Sequence, residues 1–260
     1  MIPAGFAGVE AQLWLWLIAM IRPGAAFLAA PVFGAAFVPV QLRLIIALAL
    51  GIPALSAAPF TLPDAGLASI DGVMLVGGEV MAGLAIGFAV QIGFSTALVA
   101  GEMIGNAMGL GFSAMMDPMS GQSNPVIGQF LSILATFLFL SIGGHLALAA
   151  TIVESYRALP PGDAWMSAES IGGLVYFGGV LFSAGLSIAL PVAFAIVMVQ
   201  IVMGVLARSA PQLNLFAVGF PAALMAGIVL LAIAAPVMGE GLIAAIRLGL
   251  EESRRLAMGG

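Results

Sequence analysis

The sequence predicts an all-α membrane protein built from about six long, kinked hydrophobic segments that fold into hairpins. Three observations lead there. Of 260 residues, 62% are hydrophobic and 7% charged, whereas a soluble domain carries about 25% charged residues. The mean hydropathy is +1.20, and charges divide the chain into apolar runs at 23–42, 44–63, 80–101, 118–153, 170–207 and 209–239. Most of these reach the roughly 20 residues that a membrane-crossing helix needs. Finally, 34 glycines and 15 prolines lie among them, which suits helices that bend and pack closely. The domain assignment is a single unit over residues 1–260.

Each segment follows from its own residues. The first, near 11–40, is interrupted by Arg22-Pro23 and Pro31, so it should be bent or broken. The second lies near 44–60 and the third near 72–100. The fourth, near 126–153, lacks any Asp, Glu or Arg. The fifth, near 171–207, is too long for one crossing, because 37 helical residues span about 55 Å, and Pro191 should kink it. The sixth lies near 213–239.

Composition also excludes chemistry. All 7 basic residues are arginines, set against 12 acids for a net charge of -5, which disfavours nucleic acid. The absence of lysine removes P-loop and Schiff-base chemistry, and the absence of cysteine removes thiol catalysis. A lone His145 cannot build a typical zinc or bis-histidine haem site. No nucleophile elbow occurs. The expectation is a protein that is not an enzyme and has no cofactor and no metal. Acidic residues gather in the loops 61–71 and 154–170, but so few arginines leave the membrane orientation open.

Several residues stand out as functional candidates. Gly83 and Gly87, and then Gly101, Gly105 and Gly109, fall four apart. On a helix they make a bare stripe for close packing, within the chain or against another subunit. Glu79 and Glu102 interrupt apolar stretches, and such acids are functional candidates by default. They could pair with Arg22, Arg43 or Arg208, or relay protons. His145 follows Gly143-Gly144, as an interfacial histidine or a proton switch.

Residues Gly109–Pro125 carry turn chemistry between two apolar segments: Asp117-Pro118, Ser120-Gly121 and Asn124-Pro125. Phe112, Met115, Met116 and Met119 accompany it. Methionine is flexible enough to fill an irregular hole and then yield. The stretch therefore reads as a deformable pore seal, or else as a surface loop with bulky side chains. Another polar hinge, Arg208 to Pro221, contains Pro211, Gln212 and Asn214 between two apolar segments.

Here a resemblance adds to the residue reading. The string Arg208-x-x-Pro211-Gln212-x-Asn214-x-Phe216-x-x-Gly219-Phe220-Pro221 resembles the signature of the FliR family of flagellar biosynthetic proteins. The Gly219-Phe220-Pro221 ending favours the flagellar branch over the virulence type III secretion counterpart. Arg22-Pro23-Gly24, Pro31-x-Phe33-Gly34, Pro39 and Arg43 are similar to the family's N-terminal pattern. Gly101-Glu102-x-x-Gly105, Gly109 and Asp117-Pro118 are similar to its central block.

The resemblance implies a core subunit of the flagellar type III export gate in the bacterial inner membrane, within the flagellar basal body. FliP-like and FliQ-like subunits and an FlhB-like switch protein are the implied partners, and unfolded flagellar proteins the substrates. It further implies that the central loop, Gly111–Asn124 here, plugs the pore. A proton-coupled solute transporter using Glu79 or Glu102, and a purely structural scaffold, are the competing expectations.

Overall fold

The computed structural model describes residues 7–57, 60–63, 66–111, 125–162, 166–209 and 215–259. Among them are nine α-helices and no strand. The first hydrophobic segment forms α1 (Ala7–Ala19) and α2 (Ile21–Ala29), broken at Met20 rather than at Arg22-Pro23. Helix resumes at Ile21, so Pro23 falls in the first turn, where its missing N–H leaves nothing unpaired. Ala30 then turns extended, φ -74° and ψ 150°, as the residue before Pro31 must. Helix α3 (Val40–Ala57) begins beside Pro39, whose carbonyl accepts the N–H groups of Leu42 and Arg43.

Helix α4 (Ile70–Ala107) runs for 38 residues. The Ser69 hydroxyl caps its start by accepting the Gly72 N–H at 3.2 Å, and Asp71 lies in the first turn, where a negative charge favours the helix dipole. The fourth segment forms α5 (Val126–Ser141) and α6 (Gly144–Ala158), bent by 63°. Gly143 makes that corner with a φ of 72°, which glycine adopts without steric cost.

The fifth segment is likewise two helices, α7 (Ala168–Phe177) and α8 (Gly179–Ser209). Their break falls at Gly178, and Pro191 lies inside α8. The last helix, α9 (Leu215–Ala257), extends well beyond the expected end near 239. Charge ends the apolar run at Glu240, but the residues that follow are good helix formers, so the helix continues.

By length and apolarity five helical stretches can cross a membrane, or six if α5 and α6 make one bent span. At 1.5 Å per residue α4 and α9 measure about 57 and 65 Å, against roughly 30 Å of hydrocarbon.

Contacts divide the chain into two compact units. One comprises Met1–Gly93, Phe139–Gly178 and Ile246–Gly260. Its core brings together Ala19, Ala54 and Tyr156, and separately Ala85, Ala89 and Leu256. The Trp16 indole donates to the Leu48 carbonyl at 3.0 Å, tying α1 to α3. The other unit comprises Phe94–Leu138 and Gly179–Ala245. There Gly101 meets the Gly128 backbone, and Gly227 of α9 meets Met108 of α4.

Candidate functional site

The polar centre of the first unit forms around Arg22, on the first turn of α2. Arg22 and Glu79 are both fully buried, at 0% exposure. The guanidinium donates from Nε to one Glu79 oxygen at 3.0 Å and from the second terminal nitrogen to the other at 2.7 Å. This two-point fork is the strongest pairing an arginine makes with a carboxylate. The same side chain donates to the Ser155 hydroxyl at 2.9 Å and to the Leu159 carbonyl at 2.8 Å.

The Tyr156 ring lies beneath the guanidinium carbon, 4.1 Å from its centroid, and the Tyr156 hydroxyl donates to the Ala19 carbonyl at 2.8 Å. One arginine thus joins α2 to α4 and to the end of α6, while Tyr156 adds the end of α1. Both carboxylate oxygens are engaged by the guanidinium in this arrangement. The pairing neutralises a buried charge and fixes where the helices meet. Removing one partner of such a pair is expected to cost roughly 3–5 kcal/mol.

Local sequence places these groups. Arg22 follows the break at Met20, so it projects from a helix start rather than from mid-span. Glu79 lies one turn before Gly83, where the Gly83 and Gly87 positions are filled by the backbone of α2 at Arg22 and Ala26. The small residues admit α2 close enough for the ion pair to close.

Other candidates lie elsewhere. Arg43 donates to the Ala35 carbonyl at 2.6 Å, across the turn that holds Pro31 and Gly34, and its buried Nε has no partner. A side chain at Gly34 would strike the carbonyl oxygens of Leu28 and Ala30. His145 sits in the first turn of α6 with a buried Nδ1 lacking a partner.

In the second unit Gly101 and Gly105 face α5 at Gly128 and Ile127. Gly109 is off that face: α4 has ended, and its φ is +84°. Glu102 is exposed and meets no arginine among the described residues. Arg208 is exposed in the last turn of α8, where its charge suits the helix dipole. Helix α9 has resumed before Phe216, so Gly219, Phe220 and Pro221 are helical and not part of a hinge. The Phe220 ring lies 3.3 Å from where a Gly109 side chain would start, which brings the central and C-terminal blocks together.

Phe112, Met115, Met116, Asp117, Pro118 and Met119 lie outside the described residues, as do Pro211, Gln212 and Asn214. Among the described residues no cluster of acidic and histidine side chains is arranged to hold a metal. Sequence reasoning missed Ser155 and Tyr156. Nothing in the sequence singles out these two hydroxyl-bearing residues, because their role depends on α6 meeting α2.

Residues 13–248 match the model of a family described as bacterial export proteins, family 1. The flagellar biosynthetic protein FliR of Escherichia coli (strain K12) is 32% identical over 235 residues, covering 88% of this chain and 89% of that protein. FliR of Pectobacterium carotovorum subsp. carotovorum is 36% identical over 170 residues, 65% of each chain. FliR of Bacillus subtilis (strain 168) is 30% identical over 212 residues, covering 79% and 80%.

Proposed function

The chain belongs to the bacterial export proteins of family 1, among the FliR flagellar biosynthetic proteins, and from that premise we propose that it is a core subunit of the flagellar type III export gate. In this reading it resides in the bacterial inner membrane at the flagellar basal body. It assembles with FliP-like and FliQ-like subunits and an FlhB-like switch protein. Together they form a pore for unfolded flagellar proteins, closed by the methionine-rich loop Gly111–Asn124.

Beyond family membership, one structural observation supports this reading: the most apolar stretches of Ala168–Ser209 and Gly219–Ala257 are only 22% and 17% buried within the chain. Helices longer than the bilayer is thick carry apolar surface beyond the reach of lipid tails, which favours other subunits around them. The proton-coupled transporter gains no support from Glu79, because both its oxygens are held by Arg22.

Co-expression with FliP-like and FliQ-like proteins, mild detergent extraction and affinity purification test the proposal. A discrete heteromer is expected, with the chain alone recovered poorly. A long-lived, monodisperse monomer of full helicity that draws down neither partner overturns it.

A further inference from the structure

The carbonyls at the end of α4 each find a partner, and one of those partners comes from far away. The last four carbonyls of a helix have no acceptor role within it and must be satisfied from outside. The Ile104 carbonyl accepts the Met108 N–H at 2.9 Å, Gly105 accepts Leu110 at 3.0 Å, and Asn106 accepts Gly109 at 3.0 Å. Those donors are local. The fourth carbonyl, that of Ala107, accepts the side-chain amide of Gln200 at 2.7 Å, from α8 and 93 residues along the chain.

Gln200 is singled out by its own helix as well. Between Ser187 and Arg208 it is the one side chain on α8 with an N–H or O–H to donate. Its neighbours Val197, Met198, Ile201 and Val202 are exposed and apolar, a face that in a membrane assembly borders lipid tails or an apolar partner rather than water. An unpaired amide is unfavourable in such surroundings, and one short bond satisfies both the amide and the helix end. The other contacts with that end are apolar: Gly227 of α9 gives room to the Met108 side chain, and the Phe220 ring lies beside Gly109. Apolar contacts set a distance without a direction, whereas a hydrogen bond fixes where the Ala107 carbonyl points.

We propose that Gln200 is a positioning residue of the closed gate: from α8 it caps α4, and so fixes the helix end from which the methionine-rich segment departs. This inference rests on the gate reading above, although the bond itself lies wholly between α8 and α4 of the second unit.

Two variants test it. Gln200→Met removes the donor at nearly constant volume, and Gln200→Asn keeps an amide but draws it back by one methylene. Each is co-expressed with FliP-like and FliQ-like proteins, and the complexes are compared with wild type by amide hydrogen exchange and by dye flux after reconstitution. Complex yields are expected to match wild type. Exchange of the Met108, Gly109 and Leu110 N–H groups is expected to quicken at least tenfold, with peptides of α5 unchanged, because the end of α4 opens locally. The closed complex is expected to pass the dye severalfold faster.

Wild-type exchange at residues 108–110 of the Gln200→Met complex overturns the proposal. So does quickened exchange beside a seal as tight as wild type. A severalfold loss of both variant complexes overturns it too, because Gln200 then serves assembly. Replacing Met115, Met116 and Met119 with glycine separates the proposal from the reading beneath it. If that variant leaks while Gln200→Met stays tight, the positioning role fails alone; if neither leaks, the plug reading fails with it. A wild-type chain that recruits no partner removes the gate reading and the role together.

Discussion

At the scale of the residue, Gly109 shows how one position can be misread by spacing. It follows Gly101 and Gly105 at the interval of a helix face, yet it terminates the helix. Its N–H donates to the Asn106 carbonyl at 3.0 Å, and the Leu110 N–H donates to the Gly105 carbonyl at 3.0 Å. This pair of bonds closes a helix end around a left-handed residue, which is most often glycine. Gly109→Ala is expected to lose about 1–2 kcal/mol, because a side chain at positive φ presses on the backbone, and the nearby Phe220 ring adds crowding. Gly109→Asn should lose less, since asparagine tolerates this conformation. Thermal denaturation of the purified complex measures both, and equal midpoints for Gly109→Ala and wild type would contradict the assignment. An i,i+4 pattern continues through a cap unchanged, so periodicity alone could not show where α4 stops.

At the scale of the element, the Arg22–Glu79 pair decides how α4 sits against α2. The face that α4 turns to α2 contains Gly83 and Gly87, which are smooth and would allow sliding. A charge pair with four directed hydrogen bonds from one guanidinium does not slide. Glu79→Gln leaves the guanidinium buried without its counter-charge, and Arg22→Met leaves the carboxylate so. Each single variant is expected to lose roughly 3–5 kcal/mol, whereas Arg22→Met with Glu79→Leu should lose less than either, because no uncompensated charge remains. Denaturant titration of the four proteins completes a double-mutant cycle, and additive losses would show that the two groups act independently. The sequence made both residues candidates, since rare charges in apolar runs need partners. It could not choose among Arg22, Arg43 and Arg208, because the choice depends on which helices meet. Ser155 and Tyr156 escaped notice for the same reason: their role exists only once α6 has folded back beneath α2.

At the scale of the whole molecule, the hydrophobic segments were legible because their signal is long and strong, and each of the six expected segments contains helix. What hydropathy could not give was where the helices break. Gly143 and Gly178 part segments that read as continuous apolar runs. Charge likewise stops an apolar run without stopping a helix, which is why α9 continues past Glu240. The plug reading turns on the same distinction between covered helix and connecting loop. The methionine-rich segment follows the closed end of α4 and precedes α5, and those two helices already meet through Gly101 and Gly128. Their packing therefore does not depend on the intervening residues. Deleting part of Ala114–Ser120, or replacing Met115, Met116 and Met119 with glycine, is expected to leave the yield of complex close to wild type. On the proposed plug reading the closed gate should then leak, because flexible apolar side chains suited to filling an opening have been removed. Flux of ions or a small dye through the reconstituted complex measures this, with the wild-type complex as the tight control. Growth should also slow when the mutant complex is overproduced, while export of flagellar proteins persists, since on this reading a seal would have to move aside for each substrate. A mutant complex that assembles and remains as tight as wild type removes these methionines from the pore and leaves the segment a surface loop.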